Sequence, residues 1–176
     1  NLPKINANFT IMNTSDLSST SKIWIYQSAR LLSEDEVAKI NERLSQFVQS
    51  WTAHSHEVKG FGAVYHRSML VLMADESHTQ VTGCSIDGSV KFIKALGAEM
   101  GIDFFDRNHL VVVVNGELQI ASIPSIQAMI SAGIEQIDVY DNLILTKGEW
   151  DENWLKPLSE SRYKRLFDFM QIAPSL

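Results

Sequence analysis

"HEVKGFGAVYHRSMLVLMADE" (residues 56–76) decides the fold, because it forms a hairpin pattern between two helical patterns. Runs rich in β-branched, aromatic and aliphatic residues on either side of a polar centre predict two strands, about 56–66 and 69–75. A tight turn near Arg67 and Ser68 joins the two strands. We therefore expect an antiparallel strand pair at the centre of the sheet.

The segment before this hairpin predicts an amphipathic helix over about 33–51. Ser33 has the residue type of a helix N-cap, and Glu36 completes a capping box with it. Leu32 and Val37 have the spacing of a hydrophobic staple across the same helix start. These local signals make this helix the best-defined element of the sequence.

The segment after the hairpin predicts a second helix over about 86–100, followed by Gly101 as the residue that ends it. Alternating residues predict a strand over 22–30, and a valine-rich run predicts another over 109–114. The order over 22–114 is then β-α-β-β-α-β. This order predicts an α+β fold of the ferredoxin-like type, an antiparallel sheet with helices on one face.

The rest of the chain predicts a β/α extension of that core. Asn115-Gly116 is typical of a type I′ turn and predicts a hairpin with the strand before it. A short helix and a strand over 137–145 follow. Thr146 has the residue type of an N-cap for the next helix, which Pro157 ends, and we expect a last helix over 159–170.

Composition indicates a globular protein of one domain. The chain has 176 residues and a net charge of −6, which argues against a nucleic-acid binder because phosphate contacts need a basic surface. A single cysteine excludes an internal disulfide framework and favours the cytoplasm. No apolar run reaches about 18 residues, so we expect no membrane insertion. Residues 1–21 are predicted to be a flexible polar tail, and 22–176 a single α+β domain.

Several residues whose side chains could take part in catalysis or binding are predicted to lie at one end of the sheet. A turn near residues 67–68 would place His56 opposite His78, with His54 just beyond. The first helix ends at the same place, and the loop with the only cysteine leaves from it. The residues expected to converge there are Trp51, His54, His56, His78, Cys84 and Asp87.

Nucleophilic catalysis is the most specific interpretation of this group. A helix N-terminus lowers the pKa of a thiol, so Cys84 would be the nucleophile. His54 or His56 would be the general base, and Asp87 would orient that histidine. The alternative is structural: Cys84 is a small buried side chain, and Ser85 or Asp87 caps the following helix.

Two other kinds of site remain open at the same place. His54, His56 and His78 could form a zinc-type metal site, although their spacing matches no established motif. A phosphate could also bind the backbone amides at the helix start, with Trp51 beside them. The residues of that anion or ligand site would be Gly83, Ser85, Gly88 and Ser89. No motif indicates a particular cofactor.

The C-terminal third offers a different candidate, a surface for a partner. "EWDENW" (149–154) and "RYKRLF" (162–167) are rich in the tryptophan, tyrosine and arginine that dominate binding surfaces. Ordinary packing of two C-terminal helices would explain the same residues.

Several segments together resemble a small cytosolic family of Bacteroidetes-type bacteria, frequently labelled "ABC transporter ATPase". These segments are "IWIYQS" (23–28), "QSWTAH" (49–54), "TGCSIDGSVKFI" (82–93), and "NW" (153–154) followed by "PLSES" (157–161). The likeness covers about 22–169. It implies a bacterial cytosolic protein of that family, without implying a mechanism.

The family label does not fit the residues. An ATPase of that class needs GxxxxGK[ST], whose backbone amides and lysine cradle the phosphates. The chain has no such run, and Lys59-Gly60 and Lys147-Gly148 lie in other contexts. The sequence therefore predicts a non-catalytic domain that binds a small ligand or a protein. A thiol-dependent hydrolase or transferase is the alternative, and self-association through a sheet face or edge is a further possibility.

Overall fold

The computed structural model of the chain describes residues 13–53, 56–57, 59–75 and 83–168, and of residues 52–53, 56–57 and 83–85 it describes the backbone. The first half contains strand β1 and helix α1, two short strands, a longer strand pair and helix α2. Their bounds are β1 Lys22–Gln27, α1 Glu34–Ser50, β2 Thr52–Ala53, β3 His56–Glu57, β4 Lys59–Tyr65, β5 Met69–Asp75 and α2 Gly83–Met100.

The second half contains a hairpin, two further helices and two short strands. Their bounds are β6 His109–Val114, β7 Glu117–Ser122, α3 Ile123–Ser131, β8 Ile137–Tyr140, α4 Lys147–Asn153 and β9 Leu155–Pro157. Short 3-10 turns at Thr14–Asp16, Leu158–Glu160 and Arg162–Leu166 complete the described chain. The fold is thus mixed α+β, as the sequence predicts.

The strands of the described part form two larger antiparallel sheets and one small pair. The first sheet has the order β1-β5-β4, and the second has the order β7-β6-β8-β9. The small pair joins β2 to β3. The expected hairpin of β4 and β5 is confirmed, with Tyr65 opposite Met69 next to the turn.

Successive side chains of β5 point to opposite faces of the first sheet, and this alternation divides the core into layers. Leu70 and Leu72 pack against Leu44 of α1 and Ile93 of α2, so both helices cover one face of the first sheet. Odd-numbered residues of β5 face the other way. They pack with Val111 of β6, which places the second sheet on the opposite face. Helix α3 covers the far side of that second sheet through Ile126.

The ferredoxin-like order is not confirmed. That fold requires the fourth strand to join the first sheet, whereas β6 pairs with β7 and β8 in the second sheet. The apolar run of β6 explains this position. Val111 faces the first sheet while Leu110 and Val112 face α3, and all three are buried. A strand apolar on both faces is suited to lie between two layers.

Several local expectations are confirmed. Ser33 caps α1, accepting a hydrogen bond from the amide of Glu36, whose carboxylate in turn accepts from the amide of Ser33. Gly101 has φ of +65°, and Asn115-Gly116 has φ of 52° and 82°, as a type I′ turn requires. Short-range sequence signals therefore determine these turns and helix ends.

Two expectations are wrong in detail. Of the flexible tail expected over residues 1–21, residues 1–12 lie outside the described part, while residues 13–21 pack onto the domain, with Leu17 buried and the carbonyl of Ser21 accepting the amide of Lys147. The expected helix over 159–170 is also absent from the described residues. Leu155–Pro157 instead pairs with β8 at the sheet edge, where the missing N–H of proline costs nothing, and 3-10 turns follow.

Candidate functional site

Trp51 lies where α1 ends, and the structure brings three elements together around it. Its indole is 4% exposed and packs on Ala74 at the end of β5 and on Ile86 near the start of α2. The rings of Trp24 and Phe47 lie 5.9 Å and 5.2 Å from it, centroid to centroid. The end of α1, the end of β5 and the start of α2 therefore meet, as the sequence analysis expects.

Helix α2 begins earlier than expected, at Gly83, which changes the roles available to its first residues. Ser85 and Asp87 lie inside the helix, so neither is its N-cap. The other part of the structural alternative, that Cys84 is buried, stays a prediction. Cys84 lies in the first helical turn, where backbone amides without helical partners favour a thiolate. Asp87 is exposed to solvent.

The histidines of the predicted group fall mostly outside the described residues. His54 and His78 lie outside them, and His56 is described by its backbone alone, opposite Ala53 in the β2–β3 pair. Among the described residues, no group of three or more His, Cys, Asp or Glu side chains could hold a metal ion. Both the Cys84–histidine pair and the zinc-type site stay predictions.

The predicted anion site has one well-described member. Ser89 is fully buried, and its hydroxyl donates to the carbonyl of Ile86 at 2.7 Å. The hydroxyl of Tyr26 also contacts Ser89. Gly88 is half-buried, and a Cβ added there would meet nothing within 4 Å. Gly83 and Ser85 contribute helical backbone. The Ser89 hydroxyl is thus engaged within the protein.

A second location has the densest set of contacts between aromatic rings. It contains five residues, which we call the aromatic cluster: Tyr65, His66, Tyr140, Trp150 and Trp154. Tyr140 meets Trp154 edge to face at 4.8 Å, and Tyr65 meets the same indole edge to face at 5.5 Å. Such geometries add about 0.5–1.5 kcal/mol per pair beyond surface burial.

His66 is the exposed member of this cluster. Its imidazole lies 4.5 Å from the ring of Tyr140 and 5.9 Å from that of Trp154, centroid to centroid. Partial burial lowers the pKa of His66 below its ordinary value of 6.5, so the ring is neutral at pH 7. Burial also raises the pKa of Tyr65 and Tyr140, which keeps both hydroxyls protonated.

The turn that carries His66 has an unusual backbone. His66 and Arg67 have φ of 49° and 52°, a left-handed conformation that costs non-glycine residues about 1–3 kcal/mol each. Two hydrogen bonds to Leu32 hold Arg67 in this conformation. The carbonyl of Arg67 accepts from the amide of Leu32, and Nε of Arg67 donates to the carbonyl of Leu32 at 2.8 Å. The His66 ring is thereby fixed on Tyr140.

A chain of partly buried side-chain amides fixes the cluster to both sheets. Nε1 of Trp154 donates to Oδ1 of Asn142 at 3.1 Å, and Nδ2 of Asn142 donates to Oε1 of Gln27 at 2.8 Å. Nε2 of Gln27 then donates to the carbonyl of His109. The imidazole of His109 in turn lies 3.1 Å from the carboxylate of Asp106. Rigid support of this kind preorganises a surface.

A buried carboxylate stabilises the loop behind the cluster. Asp141 is fully buried and accepts hydrogen bonds from the amides of Leu143 and Arg162 at 3.2 Å and 3.1 Å. Nζ of Lys156 and a guanidinium nitrogen of Arg162 lie 3.7 Å and 3.8 Å from it. These partners offset the cost of burying the charge.

Sequence reasoning found part of this cluster and missed the rest. "EWDENW" indicated Trp150 and Trp154, but nothing local connects them to Tyr65, His66 or Tyr140. The signal that could have found His66 is the pair His66-Arg67 in a hairpin turn, where asparagine and glycine are the usual residues. Two such residues in a left-handed turn suggest a role beyond the turn.

Comparisons with protein families, with curated proteins and with solved structures found no match to this chain. Within the described residues, no helix is both long and apolar enough to cross a membrane.

Proposed function

We propose that this chain is a non-catalytic binding domain of the bacterial cytoplasm that recognises a protein partner through the aromatic cluster. The observation that carries this proposal is the position of His66, an exposed ring held by a strained turn on the half-buried ring of Tyr140 and the buried ring of Trp154. The family resemblance of the sequence supports the bacterial and cytosolic parts of the proposal. The missing phosphate-binding motif argues against the ATPase label.

The composition of the cluster supports binding. Tyrosine and tryptophan offer large contact areas at a low entropic cost, and they dominate the energetic centres of protein interfaces. The amide chain from Trp154 to Gln27 holds the cluster before any partner arrives. A preorganised surface of this kind loses little conformational entropy on association.

Photo-crosslinking from position 66 tests the proposal. A benzoylphenylalanine at position 66, in cells that express the full chain, is expected to trap one defined protein. The same group at position 31 is the control, because Leu31 is exposed and does not belong to the cluster. A species trapped equally from both positions, or from neither, contradicts the proposal. If the purified protein instead binds a small ligand, and His66→Asn abolishes that binding, the cluster recognises a small molecule and the proposal of a protein partner is wrong.

A thiol-dependent hydrolase or transferase is the second candidate. One observation favours it: Cys84 lies in the first turn of an eighteen-residue helix, where the helix dipole stabilises a thiolate. In this proposal His54 or His56 accepts the thiol proton of Cys84, the thiolate forms a bond to the substrate carbon as the bond to the leaving group breaks, and the histidine returns the proton to that leaving group. Water or an acceptor then takes the group from sulfur and restores the thiol.

The rate of Cys84 alkylation against pH tests this second candidate on native protein. Because the chain has one cysteine, the signal has a single source. The enzyme proposal predicts fast reaction with an apparent pKa well below the free value of about 8.5. Reaction only on unfolding contradicts it and leaves Cys84 as a structural residue.

A further inference from the structure

We propose that His109 is a phosphoryl-acceptor site, whose Nε2 takes a phosphoryl group from a phosphoramidate donor, in which phosphorus is bonded to nitrogen. The observation behind this proposal is a carboxylate–imidazole pair at the start of β6, formed by Asp106 and His109. The pair lies outside the aromatic cluster, and covalent modification of a histidine differs from the binding of a partner. The inference therefore goes beyond the proposed function and does not depend on it.

Asp106 holds one edge of the His109 ring. Its two carboxylate oxygens lie 3.2 Å and 3.1 Å from Nδ1, and Oδ2 also accepts the backbone amide of His109 at 3.0 Å. Because a carboxylate only accepts hydrogen bonds, the proton of a neutral His109 ring lies on Nδ1. The lone pair of this tautomer is on Nε2, which is therefore the nucleophilic nitrogen.

The Nε2 edge of the ring is open to a reagent. The side chain of His109 is 32% exposed, whereas that of Asp106 is 10% exposed. Within the described part of the chain, no hydrogen bond reaches Nε2. The backbone of His109 is held on both sides, because its amide donates to Asp106 and its carbonyl accepts from Nε2 of Gln27. The structure thus presents an accessible nucleophile on a fixed backbone.

The neighbours of His109 suit an incoming phosphoryl group. Ser122 is directly opposite His109 in the β6–β7 pair, so the two side chains lie on the same face of the sheet. The hydroxyls of Ser122 and Ser125 lie 2.8 Å apart, and one of their two protons is left over to bind a phosphate oxygen. Ser122 also caps the nine-residue helix α3, whose first turn (residues 123–126) carries no acidic side chain. The positive end of that helix dipole favours the added negative charge.

The transfer balances in atoms and in charge. The Nε2 lone pair forms a bond to phosphorus while the phosphorus–nitrogen bond of the donor breaks, and the donor nitrogen leaves with its electron pair as ammonia or an amine. That nitrogen carries the proton it needs before the bond breaks. Nδ1 of His109 keeps its own proton, so the ring becomes a cation. The carboxylate of Asp106 stabilises this cation through a charge-assisted hydrogen bond, which makes Asp106 a positioning residue.

Potassium phosphoramidate tests this inference on the full folded chain at neutral pH. Phosphorus nuclear magnetic resonance distinguishes the Nε2 and Nδ1 isomers of phosphohistidine, and mass spectrometry identifies the modified residue. We expect His109 to react at least about tenfold faster than His66, because no carboxylate among the described residues orients His66, which packs on Tyr140. The product should be the Nε2 isomer. Unfolding the chain in urea should remove the preference for His109.

Variants at Asp106 separate the positioning of the ring from a purely structural role. Asp106→Asn keeps an acceptor for Nδ1 and loses the charge, so the rate at His109 should fall about tenfold while the isomer stays the same. Asp106→Ala leaves Nδ1 without that partner, so both isomers should form. A purely structural role would lower stability without changing the isomer. His109→Asn should remove the fast reaction.

Four results would overturn the inference. These are equal rates at His109 and His66, equal rates at His109 in the folded and the unfolded chain, an Nδ1 product in the natural chain, and a rate that Asp106→Asn leaves unchanged. None of these results contradicts the proposed function, which the crosslinking from position 66 tests separately.

Discussion

The imidazole of His66 lies 4.5 Å from the ring of Tyr140, centroid to centroid, although His66 follows a strand of the first sheet and Tyr140 belongs to the second. His66 follows the last residue of β4, and Tyr140 is the last residue of β8. The contact joins the turn after β4 in the first sheet to the end of β8, an inner strand of the second, at the place where Trp154 is fixed by Asn142. This relationship is the basis of the proposed binding surface.

The lowered pKa of His66 predicts a pH dependence of stability. Because the folded state disfavours the protonated ring, the unfolded state binds more protons as the pH falls through the unfolded pKa of about 6.5. The contribution of neutral His66 is therefore fully present above that pH and is lost below it. Urea unfolding at pH 7.5 and pH 5 should show a smaller loss for His66→Asn than for the natural protein. Asparagine also tolerates the left-handed turn, and equal losses would contradict the prediction.

The close packing of α1 on β4 predicts that Gly62 cannot be replaced without cost. A Cβ at Gly62 would lie 3.1 Å from Cδ2 of Leu72 and 3.2 Å from Cγ2 of Val48. We expect Gly62→Ala to lower the free energy of unfolding by about 1–3 kcal/mol. Gly88→Ala is the matched control. Its Cβ meets no atom of the described residues within 4 Å, so helix propensity should make it neutral or stabilising by up to about 1 kcal/mol. Denaturant unfolding of both variants measures these free energies, and an equal free energy of unfolding for the two variants would contradict the prediction.

The amide chain predicts a coupled loss of stability. Gln27→Leu leaves the carbonyl of His109 and Nδ2 of Asn142 without their partner, which should cost about 1–3 kcal/mol. Asn142→Leu should cost a similar amount. Because the two residues belong to one network, the double variant should lose less than the sum. A double-mutant cycle measures this, and strict additivity would show that the two side chains act independently.

The structure predicts that Asn41 of α1 stabilises the open edge of β4. Oδ1 of Asn41 accepts the amide of Val64 at 2.8 Å, on the open side of that strand. Asn41→Leu should lower the free energy of unfolding by about 1–2 kcal/mol and speed hydrogen exchange at Val64. Asn41→Asp retains the acceptor and should preserve the protection of Val64. Equal exchange rates in the two variants would contradict this role.

Local signals in the sequence predict the elements well, and long-range pairing explains the errors. The capping box of Ser33 and Glu36 and the turn at Asn115-Gly116 act within a few residues, so the sequence alone identifies them. The same turn identifies β7 as a partner of β6, but the sheet that this hairpin joins could not be predicted in this way. A run that is apolar on both faces shows that a strand is buried, without showing which sheet it joins.

The candidate site follows the same rule. Trp51 packs on Ala74 and Ile86, so the end of α1 meets the end of β5 and the start of α2, at the place that the hairpin register of a single turn indicates. The aromatic cluster requires the two sheets to stack, so Tyr65 and Trp154 are neighbours only in the folded chain. The sequence identified the tryptophans by composition and could not assign their partners.

The most direct test of the central claim is the dissociation constant of the protein trapped from position 66, measured with purified components. It should be measured for the natural chain, for His66→Asn and for Leu31→Asn as the exposed control. The account predicts that His66→Asn weakens binding at least about tenfold, as expected for a ring at the centre of an interface, while Leu31→Asn binds as the natural chain does. Unchanged affinity in His66→Asn would contradict it.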